Sequence, residues 1–317
     1  MCGPVIQGIG WWCGDGPSNI WCFWCLVILL PNMASGPIKL FEGAVQASLY
    51  HKFRPTVPQP VLERILCHLQ EGVGIENKSQ PFKLAIDVGC GSGQITRPLA
   101  SHFEKVIGVD VSESQLENAR QISKSPNVEY RIGVAEKIPV PDGAADLVTC
   151  CTAVHWFDYA AFLKEVDRVL RPRGCLAITT YGNRVPQTCK EHDRSKDEKL
   201  EELYTDFYDR SVIAPYWNDR RKHIDNLYSD FTIPYVGSVR DDTFEIIEEV
   251  TVASYIGYLR SWSAYCTFLE QNPEATDPLI EFYERLMEIL GADKKEDQTI
   301  ISLKARYVLL LGRKPSA

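Results

Sequence analysis

The stretch Asp87-Val88-Gly89-Cys90-Gly91-Ser92-Gly93 indicates how this chain folds. It follows an apolar run at residues 83–88 and precedes a run with helical spacing that begins at residue 94. A strand that turns through glycines into a helix is typical of an open parallel sheet, whose ligands bind beyond the carboxyl ends of the strands. The glycines allow a tight turn and let a ligand approach the main chain. The stretch therefore predicts a ligand-binding loop.

The same alternation continues along the chain. Further apolar strands are predicted at residues 105–111, 127–132, 146–151, 174–181, 244–252 and 299–312. Helices are predicted at residues 59–69, 94–103, 112–122, 159–170, 253–265 and 277–291. Strands that alternate with helices predict an α/β fold with a mostly parallel sheet and helices on both faces.

Three features of the loop bear on the identity of its ligand. Gln94 stands where the dinucleotide fingerprint G-x-G-x-x-G has its third glycine. Asp87 would repel a pyrophosphate and would attract a sulfonium or an amino-acid ammonium. Asp110 ends the second strand and can accept both hydroxyls of a ribose, which fits either kind of cofactor. A purely structural turn without a ligand is the alternative.

These residues resemble the motifs of class I S-adenosylmethionine-dependent methyltransferases, in particular the type 11 methyltransferase domain. Residues 87–120 resemble the first two motifs, residues 133–139 the adenine-side loop, and residues 166–174 the turn before the fifth strand. The resemblance implies a Rossmann-like, seven-stranded, mostly parallel sheet with an antiparallel last strand. It also implies a helical cap from the C-terminal half.

A looser resemblance extends over the whole chain from Phe41. Residues 50–55 and 258–263 have counterparts in small-molecule methyltransferases of the trans-aconitate methyltransferase type. This likeness implies that S-adenosylmethionine is the cofactor and that the methyl acceptor is a small molecule, with a carboxylic acid as the leading candidate.

The resemblance assigns roles to the matching positions. Asp87 and the backbone near Gly89 would face the methionine part of the donor, and Asp110 would hold the ribose. Ala135 and Glu136 would flank the adenine, although many relatives have Asp at the position of Val134. The other donor-site candidates are Cys90, Gly91, Val111, Trp156, Tyr50 and Arg54. Of these, Tyr50 and Arg54 would close over the donor carboxylate, with helix packing as the alternative for Tyr50.

Two residues are candidates for the acceptor side. His155 follows the fourth strand and would act as a base or as a hydrogen-bond donor to a carboxylate, with simple packing on Trp156 as the alternative. Trp156 is expected to form a wall of the donor pocket. Arg260 would clamp a carboxylate through two parallel hydrogen bonds, with a surface ion pair as the alternative.

Composition narrows the choice of partners. The chain has 317 residues and a net charge of −8, which disfavours nucleic acid as a partner. The eleven cysteines are irregularly spaced, which indicates free thiols in a reducing compartment and predicts a cytoplasmic protein. The spacing of histidines and cysteines predicts no metal site. We expect no membrane association and no obligate protein partner.

The first 38 residues differ from the rest. They hold one charged residue, Asp15, and four of the seven tryptophans, and their apolar run at residues 20–30 is too short to span a bilayer as a helix. We expect this segment to be an extension, disordered or not native, with a natural start at Met33. The methyltransferase domain would then cover residues 39–317, with the cofactor-binding core at 84–180 and the insertion and substrate cap at 182–290.

Three other functions share parts of this pattern. An NAD(P)-dependent oxidoreductase would have the same fold, but Asp87 and the missing third glycine oppose it. A non-catalytic S-adenosylmethionine-binding scaffold would keep the loop without turnover. A methyltransferase that acts on protein or RNA is disfavoured by the acidic charge and by the predicted cap.

Overall fold

The computed structural model describes residues 51–73, 81–189, 193–292 and 295–316. The predicted extension at residues 1–38 and Tyr50 lie outside the described residues. The strands are β1 (Phe82–Val88), β2 (Phe103–Asp110), β3 (Val128–Ile132), β4 (Ala145–Cys151), β5 (Leu170–Tyr181), β6 (Val185–Gln187), β7 (Val239–Thr251) and β8 (Ile300–Arg313). The α-helices are α1 (Gln59–Val73), α2 (Thr96–Leu99), α3 (Glu113–Ile122), α4 (Tyr159–Val169), α5 (Arg194–Thr205), α6 (Lys222–Asp225), α7 (Val252–Arg260), α8 (Ser263–Gln271) and α9 (Pro278–Leu290).

The strands form one sheet in the order β3-β2-β1-β4-β5-β8-β6, and β7 pairs with the other edge of β8. Strands β1 to β5 are parallel and β8 runs antiparallel to β5, as predicted. The additional eighth strand is the three-residue β6. The strand order reverses between β1 and β4, and in such sheets the crevice at this reversal is where ligands bind.

Alternate residues along β1 belong to different sides of the sheet. Ala85 packs in a cluster with the apolar face of α1, which includes Ile65 and Leu69. Ile86 packs in a second cluster with Phe162 of α4. The alternation follows from the period of two in a strand. It confirms the prediction of helices on both faces, and both faces of β1 are buried against them.

Helices α5, α7, α8 and α9 share a third hydrophobic cluster with its own aromatic centre. Its members include Tyr204 of α5 and Phe207, whose ring centroids lie 6.0 and 6.1 Å from that of the buried Trp262. The sequence predicted one helix over residues 253–265, but Trp262 has extended backbone angles, φ −71° and ψ 137°, and separates α7 from α8. Burial of this large side chain in the aromatic cluster outweighs the cost of ending a helix.

One further predicted helix is shorter in the structure than the sequence pattern indicated. The helix predicted at residues 94–103 is only the four-residue α2, because the chain enters β2 at Phe103. Helix α5 lies within the predicted insertion, and Leu200 and Leu203 on one side of it are buried. Among the described residues, no helix is long and apolar enough to cross a membrane.

Candidate active site

The glycine loop leaves β1 with a backbone that requires glycine. Gly89, Gly91 and Gly93 have φ values of +69°, +52° and +87°. A Cβ on Gly89 would lie 2.5 Å from the Cβ of Ala153, so this position also lacks space for a side chain. The backbone N–H groups of Gly89 and Cys90 both donate to the carbonyl of Val109, at 2.8 and 3.1 Å. The loop is therefore held against β2, and its main chain is accessible from the crevice.

Asp87 lies at the end of β1 and is almost fully buried, with 1% of its surface exposed. The hydroxyl of Thr96 donates to one carboxyl oxygen at 2.6 Å, and that of Thr149 donates to the other at 3.1 Å. Burial raises the pKa of Asp87 to about 7, against the opposing effect of these two hydrogen bonds. The carboxylate is thus oriented but poorly solvated, and a bound cation would favour its charged form.

Asp110 connects the loop to the end of β2. One carboxyl oxygen accepts from the backbone N–H of Gly91 at 2.8 Å, and the other accepts from that of Ser112 at 2.9 Å. Burial raises the pKa of Asp110 above its usual range. Each oxygen retains a lone pair for a ligand hydroxyl. Val111 follows and is half-buried.

The loop after β3 lies to one side of this arrangement. Ala135 is buried, and Glu136 accepts a hydrogen bond from the backbone N–H of Asp158 at 2.8 Å. Glu136 therefore ties the β3 loop to the N-terminus of α4. Neither Ala135 nor Glu136 lies in the wall of the cavity above the glycine loop.

That cavity has a volume of about 30 Å³, roughly the share of liquid volume of one water molecule. Arg54 and Tyr181 form its far wall, opposite Asp87, Gly89, Cys90 and Gly91. The guanidinium of Arg54 donates to the hydroxyls of Ser261 at 2.9 Å and Tyr181 at 3.4 Å. The segment that carries Arg54 therefore covers the glycine loop.

A second cavity adjoins the first and has a volume of about 50 Å³. Both cavities are lined by Arg54 and Thr152, and Thr152 has the unusual φ of +51°. The other lining residues are His155, Trp156, Trp217, Asn218, Arg221, Ile224 and Ser263. Because Arg54 and Thr152 border both cavities, a group bound in one cavity would lie next to a group bound in the other.

Arg221 dominates the second cavity chemically. Its guanidinium lies over the rings of Trp217 and Tyr208, at 5.0 and 5.3 Å from their centroids. Its Nε donates to the hydroxyl of Tyr208 at 2.7 Å and to Asp225 at 3.1 Å. These contacts hold a cation in a fixed position with 16% of its side chain exposed. Its only signal in the sequence is weak, an arginine within an irregular insertion rich in aromatic residues.

His155 is brought to the second cavity but does not have the properties of a base. It is buried and stacks on Trp156 with ring centroids 4.6 Å apart, as the packing alternative predicted. Burial, with the nearby charge of Arg221, lowers the pKa of His155 to about 3. An imidazole with this pKa is neutral at physiological pH and accepts a proton poorly. The prediction of a general base is therefore not supported.

Two other predicted positions are corrected. Trp156 lies in the wall of the second cavity and not among the residues that line the cavity above the glycine loop. Arg260 lies outside both cavities at the C-terminal end of α7, where its guanidinium faces Asp277 at 3.8 Å with 48% of its side chain exposed. The surface ion pair, given as the alternative for Arg260, is what the structure contains.

Comparison with known proteins now assigns the site. A methyltransferase domain profile matches residues 86–178. A Dictyostelium discoideum protein provisionally named a methyltransferase is 34% identical over 247 residues, which are 76% of this chain and 86% of that protein. The chain belongs to the methyltransferase family. The methyltransferase therefore uses S-adenosylmethionine as its methyl donor, and the predictions of an oxidoreductase and of a non-catalytic scaffold are set aside.

Two further relatives agree. A Saccharomyces cerevisiae protein provisionally named an S-adenosylmethionine-dependent methyltransferase is 21% identical over 278 residues, which are 79% of the methyltransferase and 89% of that protein. A solved structure from Anaeromyxobacter dehalogenans, provisionally described as a type II methyltransferase, is 27% identical and has a TM-score of 0.65. It covers 84% of this chain and all of that one.

The residues of the crevice suit this donor. The glycine backbone leaves room for a ligand next to the main chain, and the desolvated carboxylate of Asp87 suits a cationic group. Asp110 offers paired acceptors for a diol. Among the described residues, no group of three or more His, Cys, Asp or Glu side chains is placed to hold a metal ion.

Proposed function

We propose that the methyltransferase transfers the donor methyl group to a small organic acid, which Arg221 holds in the second cavity. The observation that carries this proposal is a fixed, aromatic-stacked guanidinium in a cavity that shares Arg54 and Thr152 with the cavity above the glycine loop. A guanidinium is the side chain best suited to bind a carboxylate through paired hydrogen bonds.

The charge of the cavity supports an anionic acceptor. The chain as a whole has a net charge of −8, yet Arg54 and Arg221 both line this cavity. Arg220 lies next to it and donates to the carbonyl of His155 at 3.1 Å. Local positive charge in an acidic protein favours a small anion over a cationic or neutral acceptor.

The donor is assigned to the crevice at the end of β1. When bound, S-adenosylmethionine supplies a methyl group on a cationic sulfur. Asp87 would face the donor ammonium and Asp110 the ribose. Three further groups would complete the donor site, namely Ala135 and Glu136 beside the adenine and Arg54 beside the donor carboxylate. The proposed limits are residues 84–180 for this core and 182–290 for the insertion and cap.

Closure over the donor is part of the proposal. The cavity above the glycine loop is too narrow for the donor while Arg54 bridges Ser261 and Tyr181. We therefore expect the segment with Arg54 to move aside as the donor enters and to return over it. The return would exclude water from the crevice and align the acceptor with the methyl group.

An acid acceptor also agrees with the state of His155. A carboxylate is already ionised at neutral pH, so its methylation requires no base. Methylation at oxygen removes the negative charge that Arg221 binds. The neutral ester would bind Arg221 more weakly than the acid does, which favours product release.

The free thiols support a reducing environment. Cys67, Cys90, Cys150, Cys151, Cys175, Cys189 and Cys266 are all unpaired in the described part of the chain. Free thiols persist where glutathione and thioredoxin keep them reduced. We therefore place the enzyme in the cytoplasm.

Labelling tests the acceptor class. The purified protein is incubated with methyl-labelled S-adenosylmethionine and a metabolite extract, and labelled products are identified by mass spectrometry. We expect a small labelled product that releases labelled methanol in mild alkali, as a methyl ester does. Labelled amines or thioethers that resist alkali, or label only in protein or RNA, would contradict the proposal.

Replacement of Arg221 tests its role as the acceptor ligand. Arg221→Gln should raise the KM for the acid identified by labelling on the order of 100-fold, because a charge-assisted pair is lost. Its affinity for S-adenosylmethionine, measured by calorimetry, should stay the same. Arg285→Gln is the matched control, since Arg285 lies in the cap outside both cavities. A normal KM in Arg221→Gln would remove this residue from the acceptor site.

A further inference from the structure

We infer that Tyr228 is a positioning residue that fixes His155 in one tautomer, so that the imidazole presents its Nε2–H to the methyl acceptor. The sequence did not indicate that Tyr228 contacts His155, since the two residues are separated by 73 positions. The tautomer of His155 is argued from the structure alone. Its consequence, a hydrogen bond from His155 to an anionic methyl acceptor, rests on the proposed function.

The backbone that presents Tyr228 is strained. Leu227 and Tyr228 are consecutive residues with positive φ, +54° and +55°. Residues other than glycine, asparagine and aspartate rarely adopt this backbone conformation. The guanidinium of Arg240 holds both of their carbonyls, at 2.8 and 3.2 Å. Strain that the surrounding structure maintains is concentrated at functional sites. We therefore look for the functional reason of this strained turn in the side chain that it positions.

What the turn positions is the hydroxyl of Tyr228. The side chain is fully buried, and its oxygen lies 2.7 Å from Nδ1 of His155. Thr152, at the shared wall of the two cavities, also has positive φ. Three of the four non-glycine residues with positive φ in the described chain therefore lie in or next to the acceptor site. The fourth is Arg173.

Burial is the main cause of the lowered pKa of His155, and the charges of Arg221 and Arg220 act in the same direction. Arg220 also donates to the backbone carbonyl of His155. Burial and these two guanidiniums together keep the imidazole neutral. A neutral imidazole has one N–H, so the partner of Nδ1 decides which nitrogen carries it.

Tyr228 is the donor that would set this choice. Burial raises the pKa of its hydroxyl well above the usual range, so the group keeps its proton and can donate to Nδ1. With the hydroxyl as the donor in this hydrogen bond, which is the direction we infer, the imidazole proton lies on Nε2. Since His155 lines the second cavity with Arg221, the acceptor would meet an N–H donor beside a guanidinium. Both are donors, as an anionic acceptor requires.

The tautomer can be observed directly. Full-length protein labelled with ¹⁵N-histidine gives separate signals for protonated and unprotonated ring nitrogens, and His155→Gln identifies the pair that belongs to this residue. We expect Nε2 to be protonated and Nδ1 unprotonated in the wild type. In Tyr228→Phe the Nε2–H tautomer should give way to a mixture or to Nδ1–H.

A kinetic measurement connects the tautomer to the reaction. With labelled S-adenosylmethionine and the metabolite extract at subsaturating acceptor, Tyr228→Phe should form the labelled product on the order of tenfold more slowly, with unchanged calorimetric affinity for the donor. Tyr159→Phe is the matched control, because Tyr159 packs on the same Phe231 but donates to the carbonyl of Thr232. It should retain the wild-type signals and rate.

The outcomes separate this inference from the proposed function. Protonation of Nδ1 in the wild type overturns the inference without any variant, so a failure of Tyr228→Phe to fold does not protect it. The same tautomer in Tyr228→Phe and the wild type would also overturn it. The proposed function fails on a different result, an unchanged acceptor KM in Arg221→Gln, and that result does not bear on the tautomer of His155 in the wild type.

Discussion

The donor side and the acceptor side of the crevice are built in different ways. The proposed donor side comes mainly from nearly contiguous sequence, residues 87–111, with Arg54 and residues 135–136 in addition. The acceptor side combines Arg54, the loop after β4, the insertion at residues 217–228 and Ser263. The first is set by a strand, a turn and the next strand, which are local. The second exists only after distant segments pack together.

The two sides also differ in charge. Asp87 lines the cavity above the glycine loop and Arg221 lines the second cavity, whereas Arg54 lines both. A cationic donor and an anionic acceptor would each meet the opposite charge. This difference is what we expect of a crevice that holds a cationic donor next to an anionic acceptor.

Asp87 gives the largest expected effect and tests the donor side alone. Asp87→Ala should weaken S-adenosylmethionine binding by on the order of 100-fold or more, since it removes the carboxylate proposed to meet the donor ammonium. Calorimetry measures this. Asp142→Ala is the control, because Asp142 is an exposed partner of Arg168 remote from the crevice. Unchanged donor affinity in Asp87→Ala would contradict the proposed donor site.

The buried charge of Asp87 should also cost stability, with a defined dependence on pH. Its folded pKa of about 7 lies above the usual 3.8, so the folded protein loses stability as pH rises between these values. Asp87→Asn cannot ionise. It should therefore be more stable than the wild type by roughly 2–4 kcal/mol above about pH 7 and equal to it near about pH 4.

Thermal unfolding of the ligand-free proteins across this range measures the difference. A constant difference between the two proteins at all pH values would show that Asp87 does not titrate with the raised pKa. The expected increase of this difference with pH would show that the buried carboxylate of Asp87 destabilises the donor side before any ligand binds.

Arg260 gives the smallest expected effect and tests the acceptor side. From sequence, Arg260→Ala should raise the acceptor KM, whereas the exposed ion pair with Asp277 predicts a change of less than about twofold in KM and less than about 1 kcal/mol in stability. Steady-state kinetics with the acid identified by labelling decides between them. A large rise in KM would restore Arg260 to the acceptor site and weaken the assignment of Arg221.

Prediction from sequence succeeded where structure is local. The apolar runs, the helical spacing and the glycine spacing identified the sheet, α3 and the loop, because each depends on neighbours a few residues away. It failed for the break at Trp262 and for His155, whose properties depend on burial. Thr96 and Thr149, which hold Asp87, were also missed, since Thr149 reaches Asp87 only through the pairing of β1 with β4.

The sequence by itself determined the family, the order of strands and helices and the carboxylates of the donor side, because these lie in short motifs whose geometry is set by backbone conformation. The tertiary structure alone decided which arginine enters the crevice, that His155 is neutral and that Tyr228 contacts it. Desolvation and long-range packing govern those properties, and neither can be read from the spacing of residues along the chain.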